Sequence, residues 1–389
     1  MTVKELIARS KAAQAEFAFA TQEQADAAAK AICKVVYDNA EKLGPMAAEE
    51  SRMGSEQDKI AKCRNKSALI WESLKGKKSC DIINRIEERR MIEVAKPVGV
   101  VASIIPSTNP VVTPMSNGAF ALKCRNSVIF APHPRAVKCT KLLVEMFRAE
   151  LKKLGLPEDL VLGLEEVSND LTSELMSAAD MVVATGGMGM VKAAYSSGKP
   201  AIGVGQGNVQ CIVDEDADIA DAVGKIIIGR AFDNGLICLG EQTVFVPEDK
   251  EAEFVAEMKK QGGYLVEGEE NVDKLREGLF PGGGAFSRVV VGMFADQVSD
   301  EIGLGAPKGT RVLFAKAKAL GAGDVLCREK LCPVIAYMTY KTFKEGVAMM
   351  EANLDHEGKG HSIAVHSNTP ENVEYAAIRC CVSRVVVNQ

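Results

Sequence analysis

The chain has 389 residues, 47% hydrophobic and 25% charged, with 47 Lys and Arg against 52 Asp and Glu for a net charge of −5. That length suits two to three domains at roughly 150 residues each, and the composition is that of an ordinary globular protein. The acidic balance, without a Lys/Arg block, excludes nucleic acid or an anionic membrane as the main partner, and no stretch approaches about 18 uninterrupted apolar residues, which excludes a membrane span.

Residues 1–75 read as helices: apolar residues recur at helical spacing in VKELIARSKAAQAEFAFA and QADAAAKAICKVVYDNAEKL, and Gly44-Pro45 is predicted to end the second. This amino-terminal stretch lacks a basic segment followed by an apolar one, so no secretory signal is expected. The eleven cysteines are odd in number and without paired spacing, which points to reduced thiols and a cytoplasmic setting. Residues 79–97 alternate, are rich in β-branched residues and carry a charged middle from Glu87 to Arg90, the pattern of a protruding hairpin.

From about 98 to 213, short apolar strands (GVVASII, SVIFAP, LVLGLEE, DMVVATGG) alternate with helices, of which RAVKCTKLLVEMFRAELKKLG is the most amphipathic. Such strands imply a parallel sheet covered on both faces, a doubly wound nucleotide-binding architecture. A second α/β run begins at about 214, with strands at QTVFVP, RVLFAK, CPVIAYM, HSIAVHS and SRVVVN. The expected division is a helical amino terminus with a nucleotide-binding domain over 1–208 and a second α/β domain over 209–389.

Several loops carry residues suited to chemistry. DMVVATGGMGM ends a strand in Thr185-Gly186-Gly187 and opens a helix, which is either a tight turn or a place where phosphate approaches backbone amides. IIPSTNP puts Asn109 just past a strand, at the edge where open α/β sheets bind ligands; it is either an Asn-Pro turn or an amide able to donate to an oxyanion. APHPRA offers His133 and Arg135 to a ribose or phosphate, or is a Pro-fixed helix start. HEGKGH is one residue too long for a zinc-binding helix and contains two glycines, so no metal is expected. Cys238 in FDNGLICLGEQ reads, on local grounds alone, as a buried core cysteine.

Taken in order, AKPVGVVASIIPSTNPVVTPM, APHPRA, ATGGMGMVKAAYSSGKPAIGVGQGN, FDNGLICLGEQ, EKLCPV and GHSIAVHS resemble the aldehyde dehydrogenase superfamily over residues 3–389. The likeness is to its CoA-acylating branch, above all to CoA-dependent succinate-semialdehyde dehydrogenases, and also to the aldehyde dehydrogenase half of bifunctional aldehyde/alcohol dehydrogenases. The resemblance implies an aldehyde dehydrogenase-like α/β fold: a Rossmann-type cofactor domain, an α/β catalytic domain and an oligomerisation hairpin. It assigns Cys238 as nucleophile, Asn109 as oxyanion donor and His361 as a histidine close to the thiol. It places Thr185, Gly186 and Gly187 at a nicotinamide cofactor, NAD or NADP, and Glu329 near the nicotinamide ribose. It further implies a small aldehyde and coenzyme A as substrates, a homodimer or higher homo-oligomer, and the cytoplasm or the lumen of a bacterial microcompartment.

Two departures from the family pattern stand out. Leu239-Gly240 replaces the small residues that usually follow the cysteine, and relatives continue past VVVNQ with a Gly-rich stretch and a closing tail, so the chain is expected to lack that segment. Hydrolytic members carry a glutamate as general base for water; the aligned residue here is Gly203, and without that base the thiol of CoA is the fitting acceptor. The alternatives are a hydrolytic enzyme with another base, or a catalytically impaired assembly or cargo subunit.

Overall fold

Threonine caps open the first two helices, α1 (Val3–Phe17) and α2 (Gln22–Asp38): Thr2 and Thr21 accept from the third helical N–H while Glu5 and Gln24 bond back to the cap. The break predicted at Gly44-Pro45 falls instead at Asn39, whose side-chain amide donates to the Val35 carbonyl at 2.8 Å. Gly44 and Pro45 lie inside α3 (Ala40–Ser51). Gly44 serves packing there: a Cβ would stand 2.6 Å from the Ile60 side chain of α4 (Glu56–Leu74).

The computed structural model describes residues 1–389 and divides into two compact units, Met1–Arg52 with Glu56–Gly205, and Met53–Ser55 with Gln206–Gln389. In the first, β1 (Asp81–Ile86) and β2 (Met91–Ala95) form an antiparallel hairpin. Five parallel strands follow: β3 (Val100–Ile104), β4 (Ser127–Ala131), β5 (Val161–Gly163), β6 (Met181–Thr185) and β7 (Ala201–Val204). They alternate with α5 (Val112–Lys123), α6 (Val137–Lys153), α7 (Asn169–Ala178) and α8 (Met188–Tyr195). The strand order β5-β4-β3-β6-β7 reverses direction between β3 and β6, the switch point at which open α/β sheets bind ligands. β3 and β4 are buried along their whole length, because helices cover both faces.

The second unit holds seven parallel strands in the order β10-β11-β12-β9-β8-β13-β14. They are β8 (Val209–Val213), β9 (Glu241–Pro247), β10 (Gly263–Leu265), β11 (Val312–Lys316), β12 (Val334–Tyr340), β13 (Ser362–His366) and β14 (Arg384–Val387). Side chains of β8 and β9 alternate between faces: Cys211, Val213, Val244 and Val246 enter one core with α9 (Ile219–Ala231) and α10 (Glu251–Lys260). Ile212 and Phe245 enter the opposite core with α13 (Phe343–His356) and α14 (Pro370–Arg379). The sequence reading assigned no element to β7, β8, β10, α11 (Glu269–Leu279) or α12 (Ala295–Ile302). β7 and β8 flank the glycine-rich VGQGN, and β10 has only 3 residues, so neither shows a clear alternation. No helix is long and apolar enough to cross a membrane.

Candidate active site

Three loops at the carboxyl edge of the first sheet carry the residues singled out there. Asn109 follows β3, His133 and Arg135 follow β4, and Thr185 ends β6 with Gly186 and Gly187 directly after it. The His133 N–H donates to the Ile105 carbonyl at 3.1 Å and its Nδ1 accepts from the Arg135 N–H at 3.0 Å, so both exposed side chains stand on a fixed loop. The Gly186 N–H donates to Val204 of neighbouring β7 at 3.1 Å. Gly187 caps α8 with φ −63°, so it is not required for a left-handed conformation; a Cβ there would meet nothing within 4 Å. Space in front of the helix end is thus open to a ligand phosphate.

In the second unit the chain leaves α9 through three successive left-handed residues, Asp233 (φ 51°), Asn234 (φ 53°) and Gly235 (φ 72°). Asp and Asn tolerate that region better than other side-chain-bearing residues. The turn is pinned on both sides: the Ser55 N–H donates to Asp233 Oδ1 at 3.2 Å, and Asn234 Nδ2 donates to the Gly292 carbonyl at 2.9 Å. A Cβ on Gly235 would stand 2.5 Å from the Cys332 backbone. Beyond this turn Cys238 is half-buried, so the core-cysteine reading does not hold for it. Eight of the other ten cysteines are buried, and none of the eleven forms a disulfide. Gly240, one of the two departures noted above, packs under the turn: a Cβ would stand 3.1 Å from the Gly229 carbonyl.

Gly207 presses directly on the thiol-bearing residue, since a Cβ there would lie 2.3 Å from the Cys238 carbonyl oxygen and 2.8 Å from its Cβ. The Gly207 N–H donates to Glu329 Oε1 at 2.8 Å, which brings Glu329, Gly207 and Cys238 into one cluster. Burial pushes the Glu329 carboxyl up to about 7 against the pull of that N–H, and the Glu357 carboxylate adds to the rise. His361 precedes β13; its Nδ1 is buried without a hydrogen-bond partner, and burial followed by the charge of Arg384 lowers its pKa. A neutral imidazole with an open ring nitrogen can accept a proton.

Beneath the turn lies a set of buried charges that sequence reasoning did not single out. The Arg230 guanidinium donates to the Lys330 and Cys332 carbonyls, while its Nε and Nη1 and the Glu241 Oε2 have no hydrogen-bond partner. Burial lowers Arg230 to about 10, raises Glu241 to about 7 and lowers Lys330 to about 7. Lys330 Nζ donates to the Leu326 and Arg328 carbonyls at 2.6 and 2.8 Å. The available signal was a charge inside an apolar run, in KIIIGRAF and EQTVFVP. Gly207 was also missed, although a glycine two residues before a strand is a mark of close backbone approach. Gly207→Ala is expected to slow any reaction of Cys238 on the order of 100-fold by displacing the thiol, with folding retained. Rapid-mixing kinetics beside a circular-dichroism melt measure this, and an unchanged rate would show that the contact does not set the thiol's position.

Residues 1–274 match the model of the aldehyde dehydrogenase family. The chain belongs to this family. It is 47% identical over 389 residues to the acetylating succinate-semialdehyde dehydrogenase of Clostridium kluyveri, covering 100% of this chain and 86% of that protein. The crystal structure of an acetylating aldehyde dehydrogenase from Geobacillus thermoglucosidasius superposes with a TM-score of 0.94 at 35% identity, over 99% of this chain and 85% of that one. A Rhodopseudomonas palustris propionaldehyde dehydrogenase, solved with bound CoA and an acylated cysteine, gives a TM-score of 0.87 at 27% identity, over 100% of this chain and 88% of that one. The family implies a nicotinamide dinucleotide. The doubly wound sheet of the first unit, with open space before Gly187 at the start of α8, fits such a group.

Proposed function

We propose that this aldehyde dehydrogenase is an acylating enzyme, converting a short-chain aldehyde and CoA reversibly to acyl-CoA through a thiohemiacetal and a thioester on Cys238. The observation that carries the acylating reading is at Gly203, on β7. The position where hydrolytic relatives hold a base carries no carboxylate here, and the Val191 and Tyr195 side chains crowd it, since a Cβ would stand 2.7 Å from the first and 3.0 Å from the ring of the second.

The chain's own residues supply the chemistry around that absence. Cys238 Sγ adds to the aldehyde carbon and its proton passes to a neighbouring base, for which His361, with its open Nδ1, is suited. The new oxyanion takes hydrogen bonds from the Asn109 amide and the Cys238 backbone N–H. Thr185, Gly186, Gly187, His133 and Arg135 would hold the dinucleotide, and Glu329 would meet its nicotinamide ribose. Bound there, the nicotinamide supplies a hydride acceptor. The CoA thiolate then attacks the thioester and Cys238 leaves as thiolate. The test is whether aldehyde-driven reduction of the nicotinamide requires CoA and yields acyl-CoA; rapid turnover to free acid without CoA overturns the reading.

The hairpin supports self-association. Ile82, Ile83, Met91, Ile92 and Val94 are all exposed on a two-stranded sheet, an arrangement marginal in water until a partner covers it. NADP⁺ is expected to be accepted beside NAD⁺, because the loop after β4 carries His133 and Arg135 and no acid of its own. A carboxylate does approach from α3: Glu50 accepts from the Lys138 and Cys139 N–H groups at 2.6 and 2.8 Å, and those bonds with the helix end occupy its charge. If kcat/KM for NADP⁺ falls more than about a thousandfold below that for NAD⁺, Glu50 or another group acts as a repulsive element and this expectation fails.

A further inference from the structure

Lys62, on α4, is 5% exposed. Enclosing an ammonium is unfavourable unless it is well bonded, so its partner is informative. Its Nζ donates to Asn109 Oδ1 at 3.0 Å, across 47 residues of sequence. An ammonium has three donors and no acceptor, whereas a side-chain amide has one end of each kind. Only the carbonyl end of Asn109 can face Lys62; the reverse orientation would set NH₂ against NH₃⁺. The Asn109 NH₂ therefore points the other way, where one hydrogen bond reaches Thr108 Oγ1 at 3.4 Å. The backbone beneath is held as well, since the Asn109 carbonyl accepts the Thr113 N–H at 3.3 Å at the start of α5, and the Ile105 N–H donates to Ala131 at 2.9 Å. A cation at the amide oxygen also polarises the group and strengthens its N–H as a donor.

We infer that Lys62 is a positioning residue that fixes the Asn109 amide with its N–H turned to the substrate oxygen, an inference that rests on the proposed role of Asn109 as oxyanion donor. Lys62 acts through Asn109 and forms no bond to the aldehyde. Its loss should lower the rate of thioester formation while leaving the aldehyde KM and cofactor binding nearly unchanged.

The experiment is a double-mutant cycle on the full chain, read as the rate of the NAD(P)H burst on mixing enzyme, cofactor and aldehyde without CoA. Asn109→Ala is expected to slow the burst about 100-fold, as removal of an oxyanion donor does. Lys62→Met is expected to slow it about tenfold or more, with NAD(P)H binding within a few fold of the parent. Lys62→Met added to Asn109→Ala should cost almost nothing further, because the group it orients is gone. Additive losses would mean that Lys62 acts independently of Asn109, and an unchanged burst in Lys62→Met would mean that it does not act; either overturns the inference alone. An unchanged burst in Asn109→Ala overturns the oxyanion assignment and this inference with it. Should Lys62→Met fail to fold, Lys62→Gln carries the same comparison, with a smaller loss expected because its amide retains a donor.

Discussion

Cys238→Ala is expected to abolish aldehyde oxidation, by on the order of 10⁵-fold, while cofactor binding stays within a few fold of the parent. A nucleophile that forms the covalent intermediate has no substitute within the second unit. Burial pushes the Cys332 and Cys380 thiols up to about 12 and raises Cys211 and Cys327 as well, so none of these is available as thiolate at neutral pH. Cys381 is exposed, but it follows α14 and belongs to no turn of the kind that presents Cys238. The substitution is also structurally mild. Gly207 packs on the Cys238 Cβ and carbonyl, both of which alanine retains, so loss of activity should not track loss of fold. Cys238→Ser should be nearly as inactive, because a hydroxyl ionises far less readily than a thiol. The check is steady-state and burst NAD(P)H formation beside a cofactor titration of each variant. Activity above about a tenth of the parent's in Cys238→Ala would remove this residue from the mechanism.

The two sheets were legible in the sequence because buried parallel strands are short, apolar and bounded by helices of clear period. What stayed hidden has physical reasons. The end of α2 was misplaced because Gly44-Pro45 looks like a stop, yet here the glycine serves the close approach of Ile60 and the real boundary is made by the Asn39 side chain. β7 and β8 escaped notice because the stretch between them is glycine-rich, and the reason for one of those glycines is three-dimensional: Gly207 is small because Cys238 lies against it. Cys238 itself was invisible locally; a cysteine after Asn-Gly-Leu-Ile reads as core until the motifs before and after it are taken in order. The partners of the buried Arg230 and the Lys62 to Asn109 bond could not be read, since periodicity says which face a residue occupies and nothing about which distant carbonyl or amide it meets. The capping boxes, by contrast, are local and appear in the structure where Thr-x-x-Glu and Thr-x-x-Gln stand in the chain.

Without CoA the enzyme is expected to give one burst of NAD(P)H per site followed by slow leakage, and adding CoA is expected to start steady turnover to acyl-CoA. The argument turns on what can attack the thioester. Water at neutral pH needs a base to attack at a useful rate, and general-base assistance contributes roughly 10² to 10⁴-fold. At Gly203 such a base is not merely absent: β7 bonds its N–H to the Tyr195 hydroxyl at 3.1 Å, and Val191 and the Tyr195 ring occupy the space a side chain would need. CoA brings its own thiol, a far better nucleophile toward a thioester, and exchange conserves the bond energy. The reverse reaction, acyl-CoA with NAD(P)H to aldehyde, should therefore run at a measurable rate as well. The same geometry shapes the informative variant. Gly203→Glu alone meets the Val191 and Tyr195 side chains, so it is paired with Tyr195→Ala, which removes one of the two contacts and leaves Val191 to adjust. In the paired variant, if cofactor binding is retained, release of free acid without CoA should rise at least about tenfold over Tyr195→Ala alone. No rise would mean that position 203 does not face the thioester, and the slow leakage would need another cause. Rapid CoA-independent turnover of the parent would be the graver result, because a base would then exist that neither Gly203 nor its neighbours can supply, and Glu329, held near neutrality beside Gly207 and Cys238, would be the first residue to replace.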